Sequence, residues 1–133
     1  MSHALAMMNS TAAPTGFAPD DLAACIADCL DCAQTCTACA DACLGEEHVD
    51  LMIACITTDL NCAAVCTATA AVLSRQTAYQ AAVSLAQLEA CRVACGACAE
   101  ECERHGGMHD HCRICAEVCR RCEHACSRLL AAR

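Results

Sequence analysis

The sequence predicts an all-α protein, an up-down-up-down four-helix bundle with a cysteine-lined core, on three observations. Its 18 cysteines fall in four stretches and recur mostly at steps of three and four residues, the spacing of one helix face. Brief links with helix-ending residues separate the stretches, as expected for antiparallel neighbours. No segment alternates polar and apolar residues in the manner of a half-buried strand. At 133 residues the chain has the size of one domain.

The first helix is expected over about residues 19–44. Pro19 suits a first turn, Asp20 and Asp21 favour the positive helix end, and Gly45 suits the stop. Its stripe is Cys25, Cys29, Cys32, Cys36, Cys39 and Cys43, at steps of 4, 3, 4, 3 and 4. At 1.5 Å per residue these thiols line roughly 27 Å of one face. The second helix is expected to open at Glu46 and Glu47 and to run to about Ser74, carrying Cys55, Cys62 and Cys66. Asp59 stands where its rhythm would place another cysteine. A turn at Ser74–Thr77 leads to the third helix, about 78–104, with Cys91, Cys95, Cys98 and Cys102. Gly106 and Gly107 break the chain, and the fourth helix, about 109–131, carries Cys112, Cys115, Cys119, Cys122 and Cys126. The bundle domain is thus expected over 19–133, with residues 1–18 a flexible N-terminal segment in which Met7 and Met8 would serve any short helix.

Composition narrows the function. Hydrophobic residues make up 57% of the chain, but 30 are Ala and 18 are Cys, and Leu, Ile, Val and Phe supply only 22 of 133. An ordinary apolar core needs more. Cysteine therefore occupies the positions where a bundle normally places leucine. The net charge is −8, with no Lys or Trp and one Phe and one Tyr, which argues against a nucleic-acid partner. No apolar run is expected to approach the roughly 18 residues of a membrane span, so no membrane partner is expected. The N-terminus has neither a basic start nor a twin arginine, and a cytoplasmic setting with reduced thiols is expected.

Extending each stripe past its cysteines distinguishes the two ends of the bundle. At one end it reaches His48, Met52, His105, Met108 and His109, with His111 nearby. At the other it reaches Leu22, Leu73, Leu88 and Leu129, joined by Leu85 and Leu130. A ligand-rich mouth faces a leucine plug. His48, His105 and His109 are the candidate mouth ligands, and His3 and His124 lie away from it.

Four readings of 18 thiols compete. As plain core hydrophobes they are far too many. A disulfide scaffold conflicts with reducing conditions, and neighbours on one helix stand about 5–6 Å apart at Cβ against the 3.5–4.5 Å a disulfide needs, although bonds between helices stay possible. Zinc or an iron–sulfur cluster is usually held by Cys-x-x-Cys turns on loops, and four unshared thiolates around Zn²⁺ leave a double negative charge in an interior without lysine. Sharing thiolates would lessen that objection. Cu(I) is soft and singly charged, and near one ion per bridging thiolate the charges nearly cancel. This is the favoured reading. A carboxylate is a hard ligand, so Asp59 is read as a hydrogen-bond acceptor or as displaced from the core.

Repeated Cys-x-x-x-Cys pairs on four Ala-rich helices with a histidine-containing mouth resemble the bacterial four-helix-bundle copper storage proteins over about residues 19–131. The resemblance implies that the inward cysteines bind many Cu(I) ions and that the bundles form homotetramers. It pairs Cys25 with Cys29, Cys32 with Cys36, Cys39 with Cys43, Cys62 with Cys66, Cys91 with Cys95, Cys98 with Cys102, Cys115 with Cys119 and Cys122 with Cys126. Cys55 and Cys112 would bind across helices near the mouth. Without a twin arginine the chain looks like the cytosolic branch, serving storage, detoxification or both. No activated cysteine, acid/base pair or phosphate loop points to an enzyme. A zinc or thiol metal buffer, or a redox buffer, is the alternative.

Overall fold

The computed structural model describes residues 2–132. A short helix α1 (Ala4–Asn9) precedes four long ones: α2 (Pro19–Leu44), α3 (Ile53–Leu73), α4 (Ala81–His105) and α5 (Asp110–Ala131). No strand occurs among the described residues. The packed neighbours are α2 with α3, α3 with α4, α4 with α5, and α5 with α2, a closed square in up-down-up-down order. Across the diagonals only side chains meet, mostly thiols: Cys29 and Cys91 Sγ lie 3.9 Å apart, Cys36 and Cys98 3.9 Å, Cys66 and Cys122 4.0 Å, and the Cys115 thiol reaches Asp59 Oδ1 at 3.3 Å.

Local chemistry places most helix ends where the sequence predicts them. Pro19 opens α2, with Asp20 and Asp21 in its first turn. The helix stops at Leu44, and the Gly45 N–H closes onto the Ala42 carbonyl at 3.1 Å with φ −87°, so the stop does not use a left-handed glycine. The second and third long helices start later than expected. Residues 49–52 form a tighter 3₁₀ turn ahead of α3, which buries Met52 beneath the histidine end. Ala78 adopts φ 54°, which no helix interior tolerates, and α4 accordingly begins at Ala81.

All 18 cysteines are 0–2% exposed, and together they form the axis of the molecule. The leucine end closes it. Leu22, Leu73, Leu88 and Leu129 are fully buried there, with Leu85 and Leu130 packed against them. Phe17 meets Tyr79 edge to face at 5.8 Å, and the Gly16 N–H donates to Gln76 Oε1 at 2.8 Å, tying residues 16–17 to the α3–α4 connection. Within residues 1–18, α1 packs on α2 through partly buried Ala4 and Met8.

One expectation needs correction. Three helical stretches, Pro19–Leu44, Val49–Leu73 and Ala81–His105, are long and apolar enough to cross a membrane by length and composition. In Pro19–Leu44 and Ala81–His105 the hydropathy comes largely from Ala and Cys and in Val49–Leu73 from Val, Ile and Leu, and the structure turns every Cys side chain of the three into the bundle rather than outward.

Candidate metal centre

Helical spacing presents the sulfurs of each helix to the axis, and the square packing brings four such stripes within contact of one another. Next to the leucine plug, Cys25 Sγ lies 3.9 Å from Cys126, and Cys122 lies 3.7 Å from Cys29. In the middle, Cys32 is 3.7 Å from both Cys62 and Cys119, and Cys62 is 3.7 Å from Cys95. Cys66 stands 3.6 Å from Cys95. Further along, Cys36 approaches Cys119 at 3.5 Å and Cys115 at 3.7 Å. Towards the histidine end, Cys55 is 3.6 Å from Cys102. All 18 thiols are free.

These contacts assemble into four-membered groups whose ligand atoms all lie within 4.8 Å of one another. One is Cys29, Cys91, Cys122 and Cys126; others are Cys32, Cys66, Cys95 and Cys122; Cys32, Cys36, Cys62 and Cys119; and Cys36, Cys98, Cys115 and Cys119. Cys32, Cys36, Cys119 and Cys122 each belong to two of them. Shared membership is the geometry of bridging thiolates, in which one sulfur serves two soft ions. It also removes the boundaries between sites, leaving a continuous sulfur column.

Crowded thiols polarise one another. The hydrogen bond from Cys126 is the largest influence on Cys25 and brings its pKa down to about 5, while Cys119 chiefly lowers Cys62 to about 6. Cys29 and Cys36 move the other way, raised mainly by Cys122 and Cys115. A thiolate is the metal-binding form, so each protonated sulfur must lose its proton as a metal binds.

Asp59 lies inside this column and is fully buried. Its Oδ1 accepts from the thiols of Cys98 at 3.0 Å, Cys115 at 3.3 Å and Cys102 at 3.5 Å. It is thus the hydrogen-bond acceptor that the sequence allows, and it is not displaced from the core. Burial above all, with Cys98 next, pushes its carboxyl up to about 9, so it is neutral at pH 7 and adds no charge to the interior.

The structure distributes the mouth residues unevenly. His48 is exposed at the start of the 3₁₀ turn, and Met108 is 80% exposed. His105 is half-buried, with Nε2 3.3 Å from Glu101 on its own helix. His109 is half-buried and stacks on His111, their rings 5.4 Å apart and 21° from parallel. His111, outside the three candidates chosen from sequence, is the histidine whose ring reaches the thiols. Its Nδ1 is 3.4 Å from Cys39 Sγ and 3.5 Å from Cys112 Sγ, and Cys39, Cys43, His111 and Cys112 form a further four-membered group. Burial, the largest influence, lowers the His111 pKa, but hydrogen bonds and charge at Cys39 and Glu46 outweigh it and raise the balance. The available signal was the His109-x-His111 pair running directly into Cys112.

The family model described as copper storage protein matches residues 18–131. The chain belongs to the copper storage protein family. Solved members of the family superpose closely on it. The structure of Ccsp from Streptomyces lividans loaded with 10 copper equivalents has a TM-score of 0.95 at 54% identity, over 98% of this chain and 99% of that one. A structure described as copper loading to a cytosolic copper storage protein from Streptomyces lividans, with five coppers, gives 0.83 at 62% identity over 84% and 93%. A histidine-to-alanine variant of the Streptomyces lividans protein gives 0.87 at 59% identity over 88% and 98%. No curated protein sequence matches the chain significantly.

Proposed function

We propose that this chain is a cytoplasmic copper store that holds many Cu(I) ions on the thiolates of its 18 inward cysteines. The observation that carries the reading is the overlap of the four-thiol groups through Cys32, Cys36, Cys119 and Cys122. Overlap lets each sulfur bridge two ions, so the number of monovalent ions approaches the number of thiolates and little net charge is buried. Separate Zn²⁺ sites would each leave excess negative charge in an interior whose buried carboxyl, Asp59, is neutral at pH 7 and offers no compensating positive charge.

Copper enters at the histidine end and moves inward by exchange between neighbouring sulfurs 3.5–4.0 Å apart. His111 with Cys39, Cys43 and Cys112 forms the first station, with His109 beside it. His105 and His48 are weaker candidates, since one faces Glu101 and the other faces solvent. The leucine plug and the Phe17–Tyr79 pair close the opposite end. The protein acts by binding rather than catalysis, and no nucleic acid or membrane is its partner. Its Ala-rich outer faces, which allow close approach of helices, support assembly as a homotetramer, as family resemblance implies. Light scattering of the reduced protein would report the mass expected for four chains.

The test is an anaerobic Cu(I) titration of the fully reduced protein against a chromogenic Cu(I) chelator, with Zn²⁺ in parallel. Uptake approaching one Cu(I) per cysteine is expected, with zinc bound in far smaller number. A few zinc ions held more firmly than copper, or negligible uptake of both, would overturn the reading.

A further inference from the structure

Glu46 lies in the connection between α2 and α3, yet its carboxylate reaches across the mouth to the first turn of α5. Its Oε1 accepts from His111 Nε2 at 2.9 Å and lies 3.4 Å from His109 Nδ1. The same His111 ring turns its other nitrogen, Nδ1, to the sulfurs of Cys39 and Cys112 at 3.4 and 3.5 Å. A neutral imidazole carries one N–H, and when that N–H donates a hydrogen bond to a carboxylate the other nitrogen keeps a lone pair free for a metal. We propose that Glu46 is the positioning residue of the entry site: by accepting the hydrogen bond of Nε2–H it holds the proton on that nitrogen and fixes His111 as an Nδ1 ligand aimed at Cys39 and Cys112.

This rests on the copper-storage reading and adds a specific role within it. Glu46 touches no thiol in the contacts above and is not a copper ligand. Its oxygen is the hard kind that Cu(I) avoids, and its contribution is to hold a ring. The stacking of His109 on His111 restrains the same ring from its face, so the two contacts together define its plane. Without Glu46, His111 can exchange its tautomer and rotate, and the first Cu(I) meets a ligand that must be reorganised before it binds.

The test combines two readouts on the full chain, reduced and anaerobic. Long-range ¹H–¹⁵N correlation spectra of the metal-free protein report which His111 nitrogen carries the proton, and rapid mixing with a Cu(I)–chelator complex reports the first phase of loading. Wild type and Glu46→Gln, whose amide oxygen still accepts, are expected to show the Nε2–H form and fast loading. Glu46→Ala is expected to lose the single tautomer and to load its first copper roughly tenfold more slowly, with total capacity unchanged. In a His111→Ala background, Glu46→Ala should cause no further slowing. An unchanged tautomer in Glu46→Ala overturns the proposal, as does unchanged first-phase kinetics or a Glu46→Gln protein as slow as Glu46→Ala. Failure of wild type itself to take up Cu(I) would instead overturn the storage reading.

Discussion

Asp59 separates what a residue's type predicts from what its surroundings make of it. In the sequence it is a break in a cysteine rhythm; in the structure it is a buried carboxyl with three thiols on one oxygen. Its pKa rises from 3.8 to about 9, so between those values the folded state holds a proton that the unfolded chain releases. Its effect on stability is therefore most favourable below about pH 4 and is lost as pH rises towards 9. The Asp59→Asn variant should lose less stability than wild type between pH 5 and pH 9, measured by urea unfolding of metal-free protein under argon. Equal losses would show that Asp59 does not titrate in this way. A second expectation concerns the histidines. His111→Ala should slow the first loading phase roughly tenfold by stopped flow, and His48→Ala should leave it unchanged, because only the former ring contacts thiols. His111 escaped the stripe argument because it stands one residue off the Cys112 position, about 100° around the helix. At an open bundle end that side position still faces the opening.

At the scale of the elements, the 3–4 rhythm was enough to place four helices and to orient them. The boundaries of α2 and α5 lie within a residue of expectation because proline, acidic first turns and glycine breaks are local signals. Those of α3 and α4 moved because a 3₁₀ turn at 49–52 and a left-handed Ala78 are responses to packing and chain reversal, without distinctive residues of their own. The leucine plug was legible as the continuation of each stripe, and it carries an element-level prediction. Leu88→Ala removes a fully buried side chain where all four long helices converge and should cost about 2–5 kcal/mol in denaturant unfolding of the metal-free protein. Copper capacity should not change, since every thiol remains. A large fall in capacity would mean that the plug organises the sulfur column as well as closing it.

For the whole molecule, stability and cargo are linked. The interior is built largely from cysteine and alanine, so the metal-free bundle relies on high helix propensity and a small apolar plug. An ion that binds only the folded state adds about 2.7 kcal/mol for each site at a free concentration of 100 times its dissociation constant. The melting temperature should climb progressively with each copper equivalent in calorimetry; a constant value would contradict binding across the bundle axis. Loading should also release about one proton per copper ion where the receiving sulfur is protonated, detectable with a pH indicator in weak buffer. Helical periodicity and thiol softness are properties of the chain and its residues, so spacing alone was enough to turn the sulfurs of four helices inward and to favour soft-metal chemistry. Only the tertiary structure decided which sulfurs share a group, that Asp59 stays neutral among them, and that Glu46 and His111 meet at the mouth. Those outcomes depend on distances and burial between helices far apart in sequence, and no one-dimensional spacing contains them.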